Sequence, residues 1–259
     1  MRPEPCKLAE YGPLRRVVAV KLQRRWSPQQ IAEWLKRHNP HDMTMQVSHE
    51  TIYRSLFIQT RGALKAELIE YLRFGRVKPR TANKQERRGK IPDMVSIRER
   101  PASVEDRAVP GHWEGDLIVG TQSNCIATLV ERSTRFVLLV KVQDKTTHEV
   151  VPALIKQMRK LPQELRRSLT WDRGNELTAH KRFTLATDLA VYFCDPHSPW
   201  QRGSNENTNG LLRQYFPKGH SVAHYTQAEL NRVARELNER PRKTLGYRSP
   251  AEVLNEVLH

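Results

Sequence analysis

The chain has 259 residues, with 44 Lys and Arg against 28 Asp and Glu, and a formal net charge of +16 at pH 7. This length allows one large domain or two smaller ones with their own cores, and so strong a basic excess favours a polyanionic partner, nucleic acid first. Cys6, Cys125 and Cys194 form no Cys-x-x-Cys pair, which excludes a disulfide framework and a cysteine-based zinc module. We therefore expect a cytoplasmic, nucleoid-associated protein.

No part of the sequence has the profile of a membrane helix. The longest uncharged stretch in an apolar region, 117–130, is too short to cross a bilayer and includes Gln122, Ser123 and Asn124. The first residues lead into a charged helical pattern rather than into a signal peptide. We expect neither membrane insertion nor secretion.

The basic excess is concentrated in the first part of the chain. Residues 1–110 contain 23 Lys and Arg against 12 Asp and Glu, whereas 111–259 contain 21 against 16. From Arg73 to Arg100, basic residues are frequent and no apolar period persists, which indicates a basic linker. The predicted division is a helix-turn-helix DNA-binding domain over 1–76, the linker over 77–108 and a catalytic core over 109–259.

The amino-terminal domain is predicted to be helical. Apolar spacing predicts a helix over 13–25, and Ser27 begins another, because Pro28 and Gln30 follow it as in a capping box. Ser48 caps a helix over 49–57. A last amphipathic helix is expected over 62–76.

Helix, turn and capped helix resemble a helix-turn-helix, whose second helix enters the major groove. His49, Thr51 and Arg54 point outward on that helix and are candidate DNA ligands. A helical scaffold without base contacts is the alternative. The basic charge of this part favours DNA.

From residue 112 the pattern changes to short strands and then to alternating helices and strands. An antiparallel meander is predicted over 112–120, 125–131 and 136–142. Helices over 147–161 and 180–189 then alternate with strands over 169–172 and 190–194, which indicates a mixed α/β sheet. A helical run over 211–215 and a core-covering helix over 227–238 complete the domain.

Three acidic residues occupy positions that favour catalysis. Asp116 lies within an otherwise apolar strand, where an unpaired carboxylate is costly to bury, so we expect a compensating partner. Asp172 ends a strand, at the edge where open α/β sheets bind ligands. Glu206 lies in a polar segment ahead of the helical run 211–215.

Taken singly, each acid has an ordinary interpretation. Asp116 would pair with an Arg, Asp172 would cap a turn, and Glu206 would be an exposed carboxylate in a first helical turn. Together, three carboxylates on separate elements suit two divalent cations that flank a scissile phosphate. The joint pattern favours metal-dependent phosphoryl transfer on DNA, with these acids as catalytic and metal-binding residues.

Basic residues near Glu206 are candidate phosphate ligands: Arg202, Arg213 and Lys218. Another basic group follows the helix 227–238 and is predicted to be a tail that faces DNA: Arg240, Arg242, Lys243 and Arg248.

Three further residues have two interpretations each. Glu114 and Glu176 are either auxiliary metal ligands or, as we favour, supporting or surface residues. His197 either contacts the scissile phosphate or orders its loop.

Several strings resemble transposases of the insertion sequence 30 family. Four lie in the predicted core: GHWEGD at 111–116, TWDRGNE at 170–176, SPWQRGSNENTNGLLRQYFPKG at 198–219 and NERPRKTLGYRSP at 238–250. Two more lie in the amino-terminal domain: WSPQQI at 26–31 and VSHETIY at 47–53.

The resemblance implies an α/β ribonuclease H-like core, a mixed five-stranded sheet with helices, preceded by a small all-α helix-turn-helix domain. It implies DDE transposase chemistry, with Asp116, Asp172 and Glu206 binding Mg²⁺ or Mn²⁺ as two ions. The partner is double-stranded DNA, namely the terminal inverted repeats and the target. Because two ends must meet, we expect a homo-oligomer on DNA.

Other functions remain open at this point. One is a DNA-binding repressor of its own element with an inactive core, and another is a shortened copy with impaired end binding, because family members generally have more amino-terminal sequence. A structure-specific or RNA–DNA hybrid nuclease would share the core chemistry.

Overall fold

The computed structural model describes residues 7–57, 64, 66–72, 91–101, 104, 107–196 and 198–259. Its contacts define two compact units, Met1–Thr81 with Glu239–Ser249 and Ala82–Asn238 with Pro250–His259. Within the described ranges, no helix combines the length and the apolar character needed to cross a membrane.

The first unit is helical, as the sequence predicts. Its α-helices are α1 Lys7–Glu10, α2 Gly12–Gln23, α3 Pro28–His38 and α4 His49–Phe57. The predicted capping box is present at α3, because Ser27 Oγ accepts from Gln30 N at 3.2 Å and Gln30 Oε1 accepts from Ser27 N at 2.9 Å. Ser48 Oγ likewise accepts from Thr51 N at 3.1 Å and caps α4.

The helix predicted over 62–76 is wrong within the described residues, where a six-residue 3₁₀ helix spans Ala66–Tyr71. Leu64 and Leu68 are buried in the core of this unit. These leucines contributed to the apolar pattern that predicted a longer helix. They are buried although the helix is shorter and of the 3₁₀ type. Residues 62, 63, 65 and 73–76 lie outside the described part.

The segment 239–249 belongs to the first unit although it follows the core in sequence. Arg240 is 1% exposed and donates from Nη2 to Arg24 O at 3.3 Å. Gln30 Nε2 donates to Pro241 O at 2.7 Å. The prediction of a DNA-facing tail is therefore wrong for Arg240 and Arg242, which are both buried.

The second unit contains a five-stranded sheet in the order β3-β2-β1-β4-β5. The strands are β1 His112–Val119, β2 Cys125–Glu131, β3 Val137–Val142, β4 Ser168–Trp171 and β5 Ala190–Phe193. β1 to β3 form the predicted antiparallel meander, and β4 and β5 extend it in parallel from β1. This mixed sheet confirms the predicted ribonuclease H-like fold.

Helices cover both faces of the sheet. They are α5 Thr147–Met158, α6 His180–Thr187, α7 Gly203–Leu212 and α8 Gln227–Asn238, and α9 Pro250–Leu258 packs on α8. Trp113 and Trp171 lie in the core on the side of α5 and α6, whereas Ile118 packs with residues of α7 and α8. Because side chains alternate along β1, Glu114 and Asp116 share the face of Ile118.

Helix α7 begins earlier than predicted, at Gly203 instead of Leu211. Its first turns contain Gly, Ser, Asn and Thr, which are weak helix formers. Tertiary contacts supply the missing stability, since Glu114 Oε2 accepts from the backbone N of Ser204 and of Asn205. Glu206 consequently lies in the first helical turn rather than in a loop.

Part of the predicted linker packs on the second unit. Phe193 N donates to Val95 O at 2.9 Å, and Ser96 forms an isolated bridge with Phe193. Ile91 and Ile97 are buried. Positions 77–90, 102, 103, 105 and 106 lie outside the described residues.

Candidate active site

Asp116 has the compensating partners that its position required. It lies in β1, half-buried, with Arg202 Nη1 3.4 Å from its Oδ1. Leu117 N donates to Oδ1 at 2.9 Å, and Asn209 Nδ2 donates to Oδ2 at 3.1 Å. The carboxylate is thus held by one cation and two neutral donors.

Asp172 directly follows β4, the parallel neighbour of β1. Its Oδ1 accepts from Gly174 N at 3.1 Å, which closes a turn. Its Oδ2 lies 3.9 Å from Arg202 Nη2. The sheet therefore brings Asp116 and Asp172 to two sides of one guanidinium group.

Arg202 is almost fully buried, at 8% exposure. Besides the two aspartates, it contacts β1 through Nη1, which donates to Gly115 O at 2.8 Å. Burial lowers the pKa of Arg202, but the charges of Asp116 and Asp172 outweigh burial and raise the pKa above its ordinary value. We predicted that Arg202 binds phosphate. In the structure its guanidinium group pairs with the two aspartates as their counter-ion.

The two aspartates and a third acid lie close enough to affect one another's pKa. Burial and the negative charge of Asp172 raise the pKa of Asp116, while Arg202 acts in the opposite direction. Glu176 adds a nearby acid whose pKa is raised by burial and by Asp172, and Trp171 Nε1 donates to its Oε1 at 3.0 Å. Negative charge is thus concentrated where β1 and β4 run side by side.

Glu206 is exposed in the first turn of α7. Asn209 follows Glu206 by three residues in α7, so the two side chains lie on one side of that helix. Asn209 contacts Asp116, as does Arg202, which directly precedes α7. The side of α7 that carries Glu206 and Asn209 thus contacts the Asp116 carboxylate through Asn209.

Each acid also has the ordinary role considered above: Asp116 pairs with Arg202, Asp172 closes a turn, and Glu206 is an exposed first-turn carboxylate. Among the residues that the structure describes, no three His, Cys, Asp or Glu side chains are grouped closely enough to hold a metal ion. The structure joins the two aspartates but does not bring Glu206 into a three-acid cluster with them.

The residues around the aspartates nevertheless suit a hard divalent cation. Carboxylate and amide oxygens are the ligands that such ions prefer. Asn209 Oδ1, beside Asp116, is buried without a hydrogen-bond partner in the described part of the chain. Two carboxylates and this amide oxygen are therefore the oxygen donors present beside Arg202.

The other predicted DNA ligands lie in different surroundings. Arg213 is half-buried and donates from Nη1 to Phe216 O at 3.4 Å, and Lys218 is exposed. In α4, His49 and Arg54 are exposed, whereas Thr51 is half-buried. His197 lies outside the described residues.

Sequence reasoning missed two features of this site, the pairing of Arg202 with both aspartates and the contact from Asn209. For Asn209, the available signal was its position three residues after Glu206. The polar composition of 203–210 predicted no helix there, and residues outside a helix have no common face.

Comparisons with known proteins agree with this architecture. A family model described as Integrase core domain matches residues 106–199, a range that contains Asp116 and Asp172. The transposase InsI for insertion sequence element IS30A of Escherichia coli strain K12 is 48% identical over 258 residues, which cover 98% of this chain and 67% of that protein. The transposase for insertion sequence element IS1086 of Cupriavidus metallidurans is 50% identical over 256 residues, which cover 98% and 75%.

Among solved structures, the catalytic core domain of BIV integrase is similar at a TM-score of 0.45 and 20% identity, covering 57% of this chain and 96% of that one. The sheet topology and the matched core define the class of the second unit, an integrase core of the ribonuclease H-like fold. The chain belongs to the insertion sequence 30 family of transposases.

Proposed function

We propose that this chain is a DNA transposase that cuts DNA at the ends of an insertion sequence and joins the freed ends to target DNA in a metal-dependent reaction. The observation that carries the proposal is the placement of Asp116 and Asp172 on two sides of one cationic group, with Asn209, three residues after Glu206 in α7, in contact with Asp116. Asp116, Asp172 and Glu206 are the proposed catalytic and metal-binding residues.

The residues of this site have distinct tasks in the proposed reaction. Mg²⁺ or Mn²⁺ ions, when bound, supply activation of the attacking water or hydroxyl and offset charge on the leaving 3′ oxygen. Asp116, Asp172 and Glu206 would hold the cations, and Asn209 orients the Asp116 carboxylate through the bond to Oδ2. Arg202 neutralises the pair when no other cation is bound, which stabilises two nearby carboxylates in the folded chain.

The proposed substrate is double-stranded DNA, with the terminal inverted repeats bound through the first unit. The exposed residues His49 and Arg54 of α4, with the half-buried Thr51, are the proposed ligands there. Arg213 and Lys218 follow Glu206 and are proposed to contact phosphates near the cleaved strand. The proposed functional division is a head over 1–76, a linker over 77–108 and a core over 109–259, from which the segment 239–249 packs with the first unit.

Two element ends must be held together for joining, so we propose that the chain works as a homo-oligomer on DNA. A repressor with an inactive core is the second candidate, favoured by the engagement of Arg202 with both aspartates. The two candidates differ in one measurable property, since only the transposase gives nicked or joined DNA.

The test uses labelled duplexes with the sequences that flank the coding region, incubated with the protein and Mg²⁺. We expect nicked and joined products from the unaltered chain and none from Asp116→Asn, because the amide removes the charge that holds the cation. Asp188→Asn is the matched control, since Asp188 is exposed and has a left-handed backbone with φ of 60° that Asn tolerates.

Equal product from the unaltered chain and Asp116→Asn would refute the role of Asp116. Binding to the duplex with no product from the unaltered chain would favour the repressor.

A further inference from the structure

A buried glutamate on β1 holds the beginning of α7. Glu114 is 1% exposed and accepts three hydrogen bonds. Its Oε1 accepts from Arg132 Nε at 3.0 Å, and its Oε2 accepts from the backbone N of Ser204 at 2.9 Å and of Asn205 at 3.0 Å. Since a buried carboxylate is costly without such partners, Glu114 strongly favours the arrangement that supplies them.

The two backbone N–H groups that donate hydrogen bonds to Glu114 belong to the first turn of α7. Such groups have no partner within the helix, and the helix dipole places partial positive charge there. One carboxylate oxygen therefore satisfies two of these donors and adds a favourable charge interaction. This cap is contributed by a residue about 90 positions earlier in the chain.

Asn205 joins the same helical turn to the sheet. It is fully buried, and its Nδ2 donates to Glu114 O at 2.8 Å and to Thr128 O at 3.1 Å. Its Oδ1 accepts from Thr128 Oγ1 at 3.2 Å. The helix is thus fixed to β1 and to β2 by the residue that immediately precedes Glu206.

We propose that Glu114 is a positioning residue that, together with Asn205, holds Glu206 at a set place relative to Asp116 and Asp172. This inference rests on the proposed function, in which these three acids act together. Glu114 and Asp116 lie on one face of one strand, two residues apart. The same short piece of β1 therefore carries the first aspartate and anchors the helix that carries the glutamate.

Direct contact between Glu114 and a metal ion is not required by this role. Both carboxylate oxygens are already used, one by Arg132 and one by the α7 backbone. The sequence favoured a supporting role for Glu114, and the proposal defines that role. Glu114 acts on the reaction through the orientation of α7.

The central test is Glu114→Gln in the full-length chain. Gln preserves the size but replaces one acceptor oxygen with an NH₂ group, which must then face either Arg132 or the amide donors of Ser204 and Asn205. We expect the amides of residues 203–210 to exchange hydrogen for deuterium at least tenfold faster, with β1 to β3 unchanged. This measurement does not depend on activity.

The kinetic expectation is equally specific. We expect kcat for strand cleavage to fall about 10- to 100-fold, as is typical when a residue that orients a ligand is altered. The Mn²⁺ concentration for half-maximal rate should rise by a similar factor, whereas the Kd for end DNA should stay within about twofold. Glu114→Asp keeps the charge and should recover part of the rate.

Glu131→Gln is the matched control. Glu131 is also fully buried and accepts three hydrogen bonds, from Gly111 N, Thr134 N and Thr134 Oγ1. Its loss should lower the Tm as much as Glu114→Gln does, yet leave the exchange of 203–210 and the Mn²⁺ dependence unchanged. A purely structural role for Glu114 predicts that the two variants behave alike.

Unchanged exchange over 203–210 in Glu114→Gln, or unchanged Mn²⁺ dependence in an active Glu114→Gln protein, would overturn the inference. Failure of the proposed function has a different signature, because the unaltered chain would then give no metal-dependent product. If Glu114→Gln does not fold, the same measurements on Glu114→Asp decide, and exchange over 203–210 and Mn²⁺ dependence both equal to those of the unaltered chain would overturn the inference.

Discussion

Gly115 shows how a single residue decides the shape of the site. It separates Glu114 from Asp116 and points to the opposite face of the sheet, where the ring of Trp171 lies. A Cβ at this position would lie 2.2 Å from Trp171 Cζ3, closer than any real contact. The absence of a side chain at Gly115 is therefore what allows Trp171, and with it the neighbouring Asp172, to lie beside β1.

We expect Gly115→Ala to lower the free energy of unfolding by about 1–3 kcal/mol, because the added methyl group overpacks the core. DNA cleavage should fall as well, since Trp171 must shift and Asp172 follows it directly. Denaturant unfolding and the cleavage assay measure the two effects. Gly203→Ala is the control, because a Cβ there meets nothing within 4 Å; equal stability of the two variants would contradict the packing argument.

His112 makes the stability of the second unit depend on pH. It is buried at the start of β1, with Nδ1 2.7 Å from Ser168 Oγ. Burial, reinforced by the charges of Arg167, Arg132 and Arg100, lowers the pKa of His112 from its ordinary 6.5 to about 4. The folded chain therefore holds this ring neutral at a pH where the unfolded chain protonates it.

Stability should accordingly decrease as the pH falls from about 6.5 to about 4, because the unfolded state binds the extra proton. The shift corresponds to a loss on the order of 3 kcal/mol once the pH is below both pKa values. His112→Gln should lose less stability over this range than the unaltered chain, as measured by urea unfolding at several pH values. His148→Gln, at an exposed position, should retain the full dependence.

At the scale of elements, local signals predicted some helices and strands well and failed at α7. The capping box at Ser27 and the strand Cys125–Glu131 appear where the sequence predicts them. In both, the stabilising pattern lies within the element itself, as a cap or as a run of strand-forming residues. Helix α7 has no such pattern, and its beginning depends on Glu114, which is distant in sequence.

We expect Ser27→Ala to destabilise the first unit by about 1 kcal/mol, because Gln30 N loses its side-chain acceptor. Circular dichroism during thermal unfolding measures the effect. Ser27→Asp preserves an acceptor at the cap and should remain close to the unaltered chain. A similar loss in both variants would show that packing around Ser27, and not the cap, is responsible.

At the scale of the whole molecule, the charge of +16 and the family membership point to the same partner, DNA. Not all of the basic side chains are exposed, however. Arg202, Arg240 and Arg242 are buried. Counting basic residues therefore overstates the number that are available to contact phosphates.

We expect DNA affinity to fall steeply with salt, with a slope that reflects the number of neutralised phosphates. Lys218→Gln, which removes an exposed charge close to α7 in sequence, should reduce the slope of log K against log salt concentration by about 0.9. Fluorescence anisotropy between 50 and 200 mM salt gives this slope, a range chosen because affinities change by orders of magnitude across it. Lys181→Gln is the control, since Lys181 of α6 pairs with Asp93; an equal change there would exclude a specific role for Lys218.

The sequence by itself determined the partner, the fold class and the family, because charge, strand and helix periodicity and long motif strings are all read along the chain. It also singled out Asp116 and Asp172 through the elements on which they lie. Only the tertiary structure decided that Arg202 bridges those aspartates, that Glu114 caps α7 and that residues 239–249 pack with the first unit. These features are contacts between residues that are distant in sequence, formed because buried charges and helix ends need partners. No local sequence pattern specifies which residues form them.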